Sequence, residues 1–353
     1  MSGGAGPAAA TAATALGSTA PAATSVSGSG PAARPSVADP VVAGMLARCS
    51  FPTTTAPAHD AVAVAVSGGP DSTALLALAL AAGLQVTAHH VDHGLRAGGA
   101  DEAAAVASLA RAWGAGFVAH TVEVAEGGNL EERCRQARLG ALPTGVLLGH
   151  TADDLAETVV LRLLRGTGPA GLAAMGRATH PLLGLRRGDT VGLCAHLGVV
   201  AFDDPTNTDP RFRRNRVRAE VLPLLHDVAG RDVVPLLCRL ADLAGEQAEV
   251  LQALAAGIDP TDARALRDLA PAVAREALRA WWRADTGGLP PPDAAALGRM
   301  MAVARGDRAG CDVAAGWRLR RTAGRLRLEG PRAVAPGTGA SSRADDGRVG
   351  PRD

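Results

Sequence analysis

The 353-residue chain contains no lysine and no tyrosine; its 36 basic residues are all arginine. Without an ε-amine at a fixed place, a Walker-type phosphate loop, a Schiff-base enzyme and a ligase that adenylates its own lysine are excluded. Aromatic residues are equally scarce, with four Trp and four Phe, and Ile258 is the single isoleucine. Any core must therefore be built from Ala, Val and Leu, and the Arg-for-Lys and Val-for-Ile bias reads as base composition rather than function. The five cysteines (Cys49, Cys134, Cys194, Cys238, Cys311) are odd in number and never form a C-x-x-C pair. They signal neither a disulfide framework nor a zinc or iron–sulfur site, and they fit a reducing cytoplasm. No apolar run approaches the roughly 18 residues of a membrane span, and the N-terminus lacks a basic start followed by an apolar region, so a soluble, unexported protein is expected. Charge of either sign is not in excess, 36 basic against 35 acidic residues, which argues against a uniformly basic coat but not against local patches.

What is present divides unevenly along the chain. Residues 1–57 are almost entirely Ala, Pro, Gly, Ser and Thr, with Arg34, Asp39 and Arg48 the only charges, and are expected to be a disordered extension with room for a short helix around VVAGMLARC. Residues 331–353 return to that composition and read as a tail. Residues 58–227 alternate strand-like and helix-like blocks: AVAVAV, then STALLALALAA, QVTAHHV, ADEAAAVASLARAWG, FVAHTVEV, NLEERCRQARLGAL, and GVLLGH leading into TADDLAETVVLRLLRG. This pattern predicts βαβ units and an α/β fold with a doubly wound, mostly parallel sheet. Asn129 with Glu132, and Thr151 with Asp154, have cap-like spacing, and Gly166 marks a helix stop. Residues 228–330 lose the strand signal and predict a smaller, mainly helical C-terminal domain closed by a short hairpin in WRLRRTAGRLRLE.

Six residues, SGGPDS (Ser67, Gly68, Gly69, Pro70, Asp71, Ser72), lie directly after a buried strand and before a helix, where a parallel sheet places ligands. Two glycines permit close backbone approach, the two hydroxyls can donate, and the helix start supplies N–H groups and a positive dipole end. That is an anion cradle built without lysine. Asp71 beside bound phosphates is unfavourable unless a cation intervenes, which implies Mg²⁺ bridging Asp71 and the phosphates. A Gly-Pro turn with Asp71 as an ordinary cap is the bland alternative.

SGGPDS resembles the SGGxDS signature of the PP-loop ATP pyrophosphatases. Four more segments narrow the resemblance to the tRNA(Ile)-lysidine synthases: HHVDHGLR (89–96), EERCRQAR (131–138), GHTADDLAETVVLRLLRGTGPAGLAAM (149–175) and DDPTNTDPRFRRNRVRAEVLP (203–223). It covers roughly residues 60–227. It implies a PP-loop domain of the adenine nucleotide α-hydrolase kind with a tRNA-contact domain. The activity implied is ATP-dependent ligation of L-lysine to carbon 2 of the wobble cytidine in CAU-anticodon tRNA(Ile), through an adenylated cytidine, so that the codon read changes from AUG to AUA. The chain departs from the family pattern at Thr151, Leu155 and His180, where the family usually has His, Gln and Arg.

The resemblance also distributes roles. It implies that ATP is held by residues 67–72 with His93, Arg96 and His150, and Mg²⁺ by Asp71 and Asp154. Catalysis is implied for Asp71, Arg133, Asp153, Asp154, Glu157 and Arg216, the acids gripping the lysine amine or accepting its proton. RNA contacts are implied for Arg138, Arg213, Arg214, Asn215 and Arg218. Read without the resemblance, Asp153 and Glu157 share a helix face at i, i+4, Asp153 and Asp154 complement a helix dipole, and the arginines are solvated charge runs. His89 and His90 are neighbours in a strand and point to opposite faces, which argues against zinc and for core histidines. Arg318, Arg320, Arg321, Arg325 and Arg327 form a second cluster, a tRNA surface or a solvated face, and Trp281 and Trp282 are expected in a core. The expected partners are tRNA(Ile) and free lysine, with no membrane and a homodimer left open. A tRNA thiolase and a non-catalytic RNA- or nucleotide-binding module remain as alternatives.

Overall fold

The computed structural model describes residues 32–52, 61–92, 99–122, 130–173, 175–202 and 209–331. It starts with helix α1 (Pro40–Leu46), whose N-cap Asp39 accepts from Val41 N at 2.8 Å and from His196 Nε2 at 2.7 Å. Val42 is fully buried among residues of the α/β core. The short helix expected around VVAGMLARC is α1, and its packing on the core corrects only the expectation that the rest of residues 32–52 is disordered. Low charge left this segment few polar demands, and a ready-made apolar surface orders it.

The alternating Val and Ala of the first block form β1 (Val62–Ala65), followed by α2 (Pro70–Ala81), β2 (Val86–Asp92), α3 (Gly99–Trp113), β3 (Gly116–Thr121) and α4 (Leu130–Ala141). The strands are parallel in the order β1-β2-β3, in register through Val62 with Val86 and Thr87 with Gly116. α2 is buried from Ser72 through Ala79 because it is apolar on every side and is covered by the sheet on one side and by further helices, α1 among them, on the other.

The strand expected in GVLLGH shrinks to one parallel bridge, Leu147 against Val64 on the free edge of β1. Leu147 exchanges bonds with Ala63 and Ala65, but the next amide, Leu148 N, turns to Thr179 O at 2.9 Å. The chain leaves the sheet there and enters α5 (Ala152–Leu163), α6 (Pro169–Leu172) and α7 (Arg187–His196), the last packed along α2.

The arginine-rich stretch forms α8 (Arg213–Arg216), a π-helical turn (Val217–Val221) and α9 (Leu222–Ala229), and then α10 (Val234–Ala255). Val217, Leu222 and Val234 share one apolar cluster with Ala152, Ala156 and Val160 of α5. The packing thus does not divide near residue 228, where the composition changes. It divides along α10, because the apolar face of its first half is satisfied by α5 and α6.

A separate core begins at Ala255 and gathers α11 (Ala263–Asp268), α12 (Pro271–Asp285) and α13 (Ala294–Arg305). An antiparallel sheet, β4 (Gly310–Asp312), β5 (Arg318–Thr322) and β6 (Arg325–Glu329), closes it. The predicted hairpin is β5–β6, turned by Ala323 and Gly324 at φ 49° and 80°, the mirror-image turn that matches strand twist. Trp282 is fully buried, donates Nε1–H to Pro290 O and meets Trp317 edge-on, so it is a core residue as expected. No helix among the described residues is long and apolar enough to cross a membrane.

Candidate active site

The loop Ser67–Gly69 leaves the carboxyl end of β1 and opens α2. Gly68 sits at φ 89°, where a Cβ would also come within 2.8 Å of the Phe202 ring; Phe202 N donates to Gly68 O at 3.0 Å. Ser72 closes the loop on itself. Its hydroxyl donates to Gly69 O (3.0 Å), accepts from Ser67 N (3.1 Å) and lies 3.2 Å from Ser67 Oγ. Pro70 occupies the first helical turn, where a missing N–H costs nothing, and Gly69 is the N-cap. The positive end of a 12-residue helix therefore faces a loop with little side-chain bulk.

Gly149 brings α5 to the same edge. A Cβ at this position would lie 2.8 Å from Asp71 O and 3.1 Å from Ser72 Cα, so only glycine lets the chain pass the loop. Thr151 then caps α5, its backbone N and its hydroxyl both donating to Asp154 Oδ2 at 2.9 Å.

Asp71, Asp154 and Glu157 converge on one guanidinium. Arg187, in the first turn of α7, reaches Asp154 Oδ1 at 2.9 Å and both Asp71 Oδ2 and Glu157 Oε1 at 3.5 Å. Thr190 Oγ1 donates to Asp71 Oδ1 as well. Glu157 has no exposed side-chain surface and is also held by Arg218 at 2.7 Å and Arg214 at 3.4 Å.

Asp153 lies elsewhere. It accepts from Arg186 Nε and Nη2 at 3.1 and 2.9 Å and from Arg187 N at 2.8 Å, tying α5 to the start of α7. The acids that face the loop from α5 are thus Asp154 and Glu157, three residues apart, and not the Asp153 and Glu157 pair expected from spacing.

Burial pushes the Asp71 carboxyl up, opposed by the Thr190 hydroxyl and Arg187 and reinforced by the Asp154 charge. Burial would raise Asp154 too, but Arg187, His150 and the Thr151 amide overcome it and hold that carboxyl below its ordinary range. His150 is pushed down to about 4 by burial, with Asp154 opposing, so it is neutral at pH 7. Its Nδ1 has no hydrogen-bond partner among the described residues, and its ring lies 5.0 Å from that of His180.

Other sequence-predicted residues distribute as follows. Arg214 and Arg218 are spent on Glu157, with Arg214 also bonded to Thr158 Oγ1 at 2.7 Å. Arg216 is exposed and paired with Glu220, Arg213 is exposed, and Asn215 Nδ2 donates to Asp209 O. Arg133 and Arg138 are half-buried on α4, and the Arg138 charge acts on His150. His93, Arg96 and the segment DDPTN lie outside the described residues, as does the Asn129 cap. His89 bonds His120 across β2 and β3 at 2.9 Å, and His90 bonds Val66 O at 2.9 Å, so both are satisfied in the core.

Arg186, Arg187, Thr190, Gly149 and Phe202 were not foreseen. One signal existed: two arginines opening a helix, in GLRRGDT, oppose the helix dipole and need nearby carboxylates to compensate.

Asp71 and Asp154 present hard carboxylate oxygens beside a phosphate-type loop. Among the described residues no group of three His, Cys, Asp or Glu forms a cage of its own. That donor set fits Mg²⁺, which takes one or two carboxylates and leaves its other positions to phosphate oxygens and water. Cys49, Cys194, Cys238 and Cys311 are poor nucleophiles: burial raises each thiol, Cys194 to about 11 and Cys49 to about 12, far from thiolate at neutral pH.

A family model described as a PP-loop domain matches residues 47–225, just over half of the chain. The loop, sheet edge and acids described above thus belong to an ATP-using enzyme of the PP-loop class. A second model, the TilS substrate binding domain, matches residues 262–327, the separate C-terminal core. Over 253 residues the chain is 44% identical to a tRNA(Ile)-lysidine synthase of Nocardia farcinica, covering 67% of this chain and 79% of that protein. The same identity holds to the enzyme of that name from Mycolicibacterium paratuberculosis, over 66% of this chain and 77% of the other. The chain belongs to the tRNA(Ile)-lysidine synthase family.

Proposed function

We propose that the chain joins free L-lysine to carbon 2 of the wobble cytidine in a CAU-anticodon tRNA(Ile), in the cytoplasm, so that the tRNA reads AUA instead of AUG. The carbon 2 oxygen attacks the α-phosphorus of ATP and pyrophosphate leaves. The lysine ε-nitrogen then attacks carbon 2, the C–O bond breaks, AMP departs with the oxygen, and the amine loses a proton.

The observation that carries this reading is the meeting of the SGGPDS loop with Asp71, Asp154 and Glu157 at one edge of the sheet. Residues 67–72 would cradle the phosphates with backbone and hydroxyl donors, with His93, Arg96 and His150 close to the nucleotide. Asp71 and Asp154 would hold Mg²⁺, which when bound neutralises charge on the phosphates. Buried acids at Asp154 and Glu157 suit an ammonium group and, next to it, the proton it releases. Arg133 and Arg216 would serve the adenylate, and Arg138, Arg213 and Asn215 the RNA, with residues 262–327 as the accessory tRNA-contact domain; Arg214 and Arg218, expected from sequence to contact the RNA, instead hold Glu157. Guanidinium forks suit phosphate recognition, and here they must do all of it.

The test is purified protein with a CAU-anticodon tRNA transcript, ATP, Mg²⁺ and labelled lysine. Lysine should enter the tRNA with one AMP released per lysine, and Asp71→Asn should lower the rate by about 100-fold or more while the protein stays folded. AMP release without lysine transfer, or full activity in Asp71→Asn, refutes the reading.

A further inference from the structure

Two carboxylates desolvated side by side repel each other and need a cation, and here the chain supplies one from its own side chains. Arg187 spans Asp71 and Asp154, the pair assigned to the metal, and its third contact is Glu157, at 3.5 Å. Its main chain is held at the amide, where Arg187 N donates to Asp153 Oδ2 at 2.8 Å, while Arg187 O lies 2.8 Å from the Thr190 hydroxyl, whose single proton it shares with Asp71 Oδ1. The side chain is 29% exposed, so the guanidinium can swing while the Cα stays in place.

We propose that Arg187 is an exchangeable internal counter-cation, which holds Asp71 and Asp154 together before nucleotide binds and is displaced toward Glu157 when a divalent ion bridges that pair. This rests on the reading that Asp71 and Asp154 hold the metal. A guanidinium and a divalent ion cannot share the space between two carboxylates, since like charges a few ångströms apart in a desolvated site disfavour one another. Glu157 is the natural receiver because it already touches Arg187 and is fully buried, although Arg214 and Arg218 share it. The exchange gives the site two properties. The acid pair stays in geometry without metal, and metal binding is weakened until phosphates add their own ligands. Arg187 is thus a positioning residue whose effect is read in metal affinity.

The experiment measures binding of Mn²⁺ to nucleotide-free, full-length protein by electron paramagnetic resonance, together with the shift of Tm on adding Mg²⁺. Arg187→Gln removes the competitor and should bind Mn²⁺ about tenfold more tightly than the parent, with a larger Tm rise in Mg²⁺. Arg187→Lys keeps one cation but loses the planar fork that spans both acids; it should move affinity the same way by a smaller factor, and it carries the test if the Gln variant does not fold. Asp154→Asn should abolish Mn²⁺ binding. If Asp154→Asn does so while both Arg187 variants bind Mn²⁺ no more tightly than the parent, the exchange is overturned and the metal site stands. If Asp154→Asn binds Mn²⁺ normally, the metal reading fails and the exchange falls with it.

Discussion

Two stretches of this chain carry five arginines each, residues 211–218 and 318–327, and in sequence they look alike. In the structure they part company over what they face. Arg214 and Arg218 of the first stretch converge on Glu157, whose side chain is wholly buried. The second stretch alternates along β5 and β6, and its pairs, Arg318 with Asp312, Arg320 with Glu329 and Arg325 with Asp259, are about half or more exposed on both sides. Water screens the second set, so each pair contributes about 0–1 kcal/mol and its donors stay open to a polyanion. Arg214 and Arg218 are committed: removing Glu157 would leave part-buried cations facing one another without their shared anion. Arginine density therefore marks neither RNA contact nor structure by itself; the burial of the acid opposite decides.

That contrast can be broken in three measurements, taken here from the largest expected effect to the smallest. Glu157→Ala should destabilise the protein by about 3–5 kcal/mol in urea unfolding, because it strands buried-side guanidinium groups without an anion. A loss under about 1 kcal/mol would erase the distinction. Next, acid should loosen the catalytic region first. His150 is held neutral with a pKa pushed down to about 4 against 6.5 in the unfolded chain, so the unfolded state takes up the proton first as pH falls. The stability this supplies is complete above pH 6.5 and is lost between pH 6.5 and 4, on the order of 1–3 kcal/mol. His180 and His89 are lowered in the same direction, whereas residues 230–331 contain no histidine. Hydrogen exchange, corrected for intrinsic rates, should therefore accelerate in α5 and not in α12 over that window; equal acceleration would show that the two regions unfold as one. The smallest effect is expected at the hairpin, where Arg320→Ala should change stability by less than about 1 kcal/mol. A larger loss would mean that this face is structural.

Much of the fold was legible in the sequence because it rests on local rules. The Val and Ala alternation of residues 61–66, the Thr151 cap and the arginine-flanked hairpin each depend on near neighbours, and each appears where spacing places it. Misses came where a distant partner decided. GVLLGH had strand composition, yet Gly149 must skirt the backbone of Asp71 and Ser72, which pulls the segment off the sheet after one bridge. Asp153 and Glu157 sit one above the other on a helix, yet α7 arrives so that Asp153 holds its first turn and Asp154 turns to the site. The segment around Val42 read as a short helix in an otherwise disordered extension, because composition cannot show the apolar surface that it packs against.

The sequence alone determined the class of chemistry. A chain without lysine must hold phosphates with backbone, hydroxyls and arginine, and SGGPDS between a strand and a helix is the cradle proposed for it. Only the tertiary structure decided which acids meet, that Arg187 stands among them, and which arginines remain free for a large anionic partner. The physical reason is range: helix caps and strand alternation are set within a few residues, whereas the interaction of charges depends on burial and on separations of a few ångströms that residues 71, 154, 157 and 187 acquire only when the chain has closed around them.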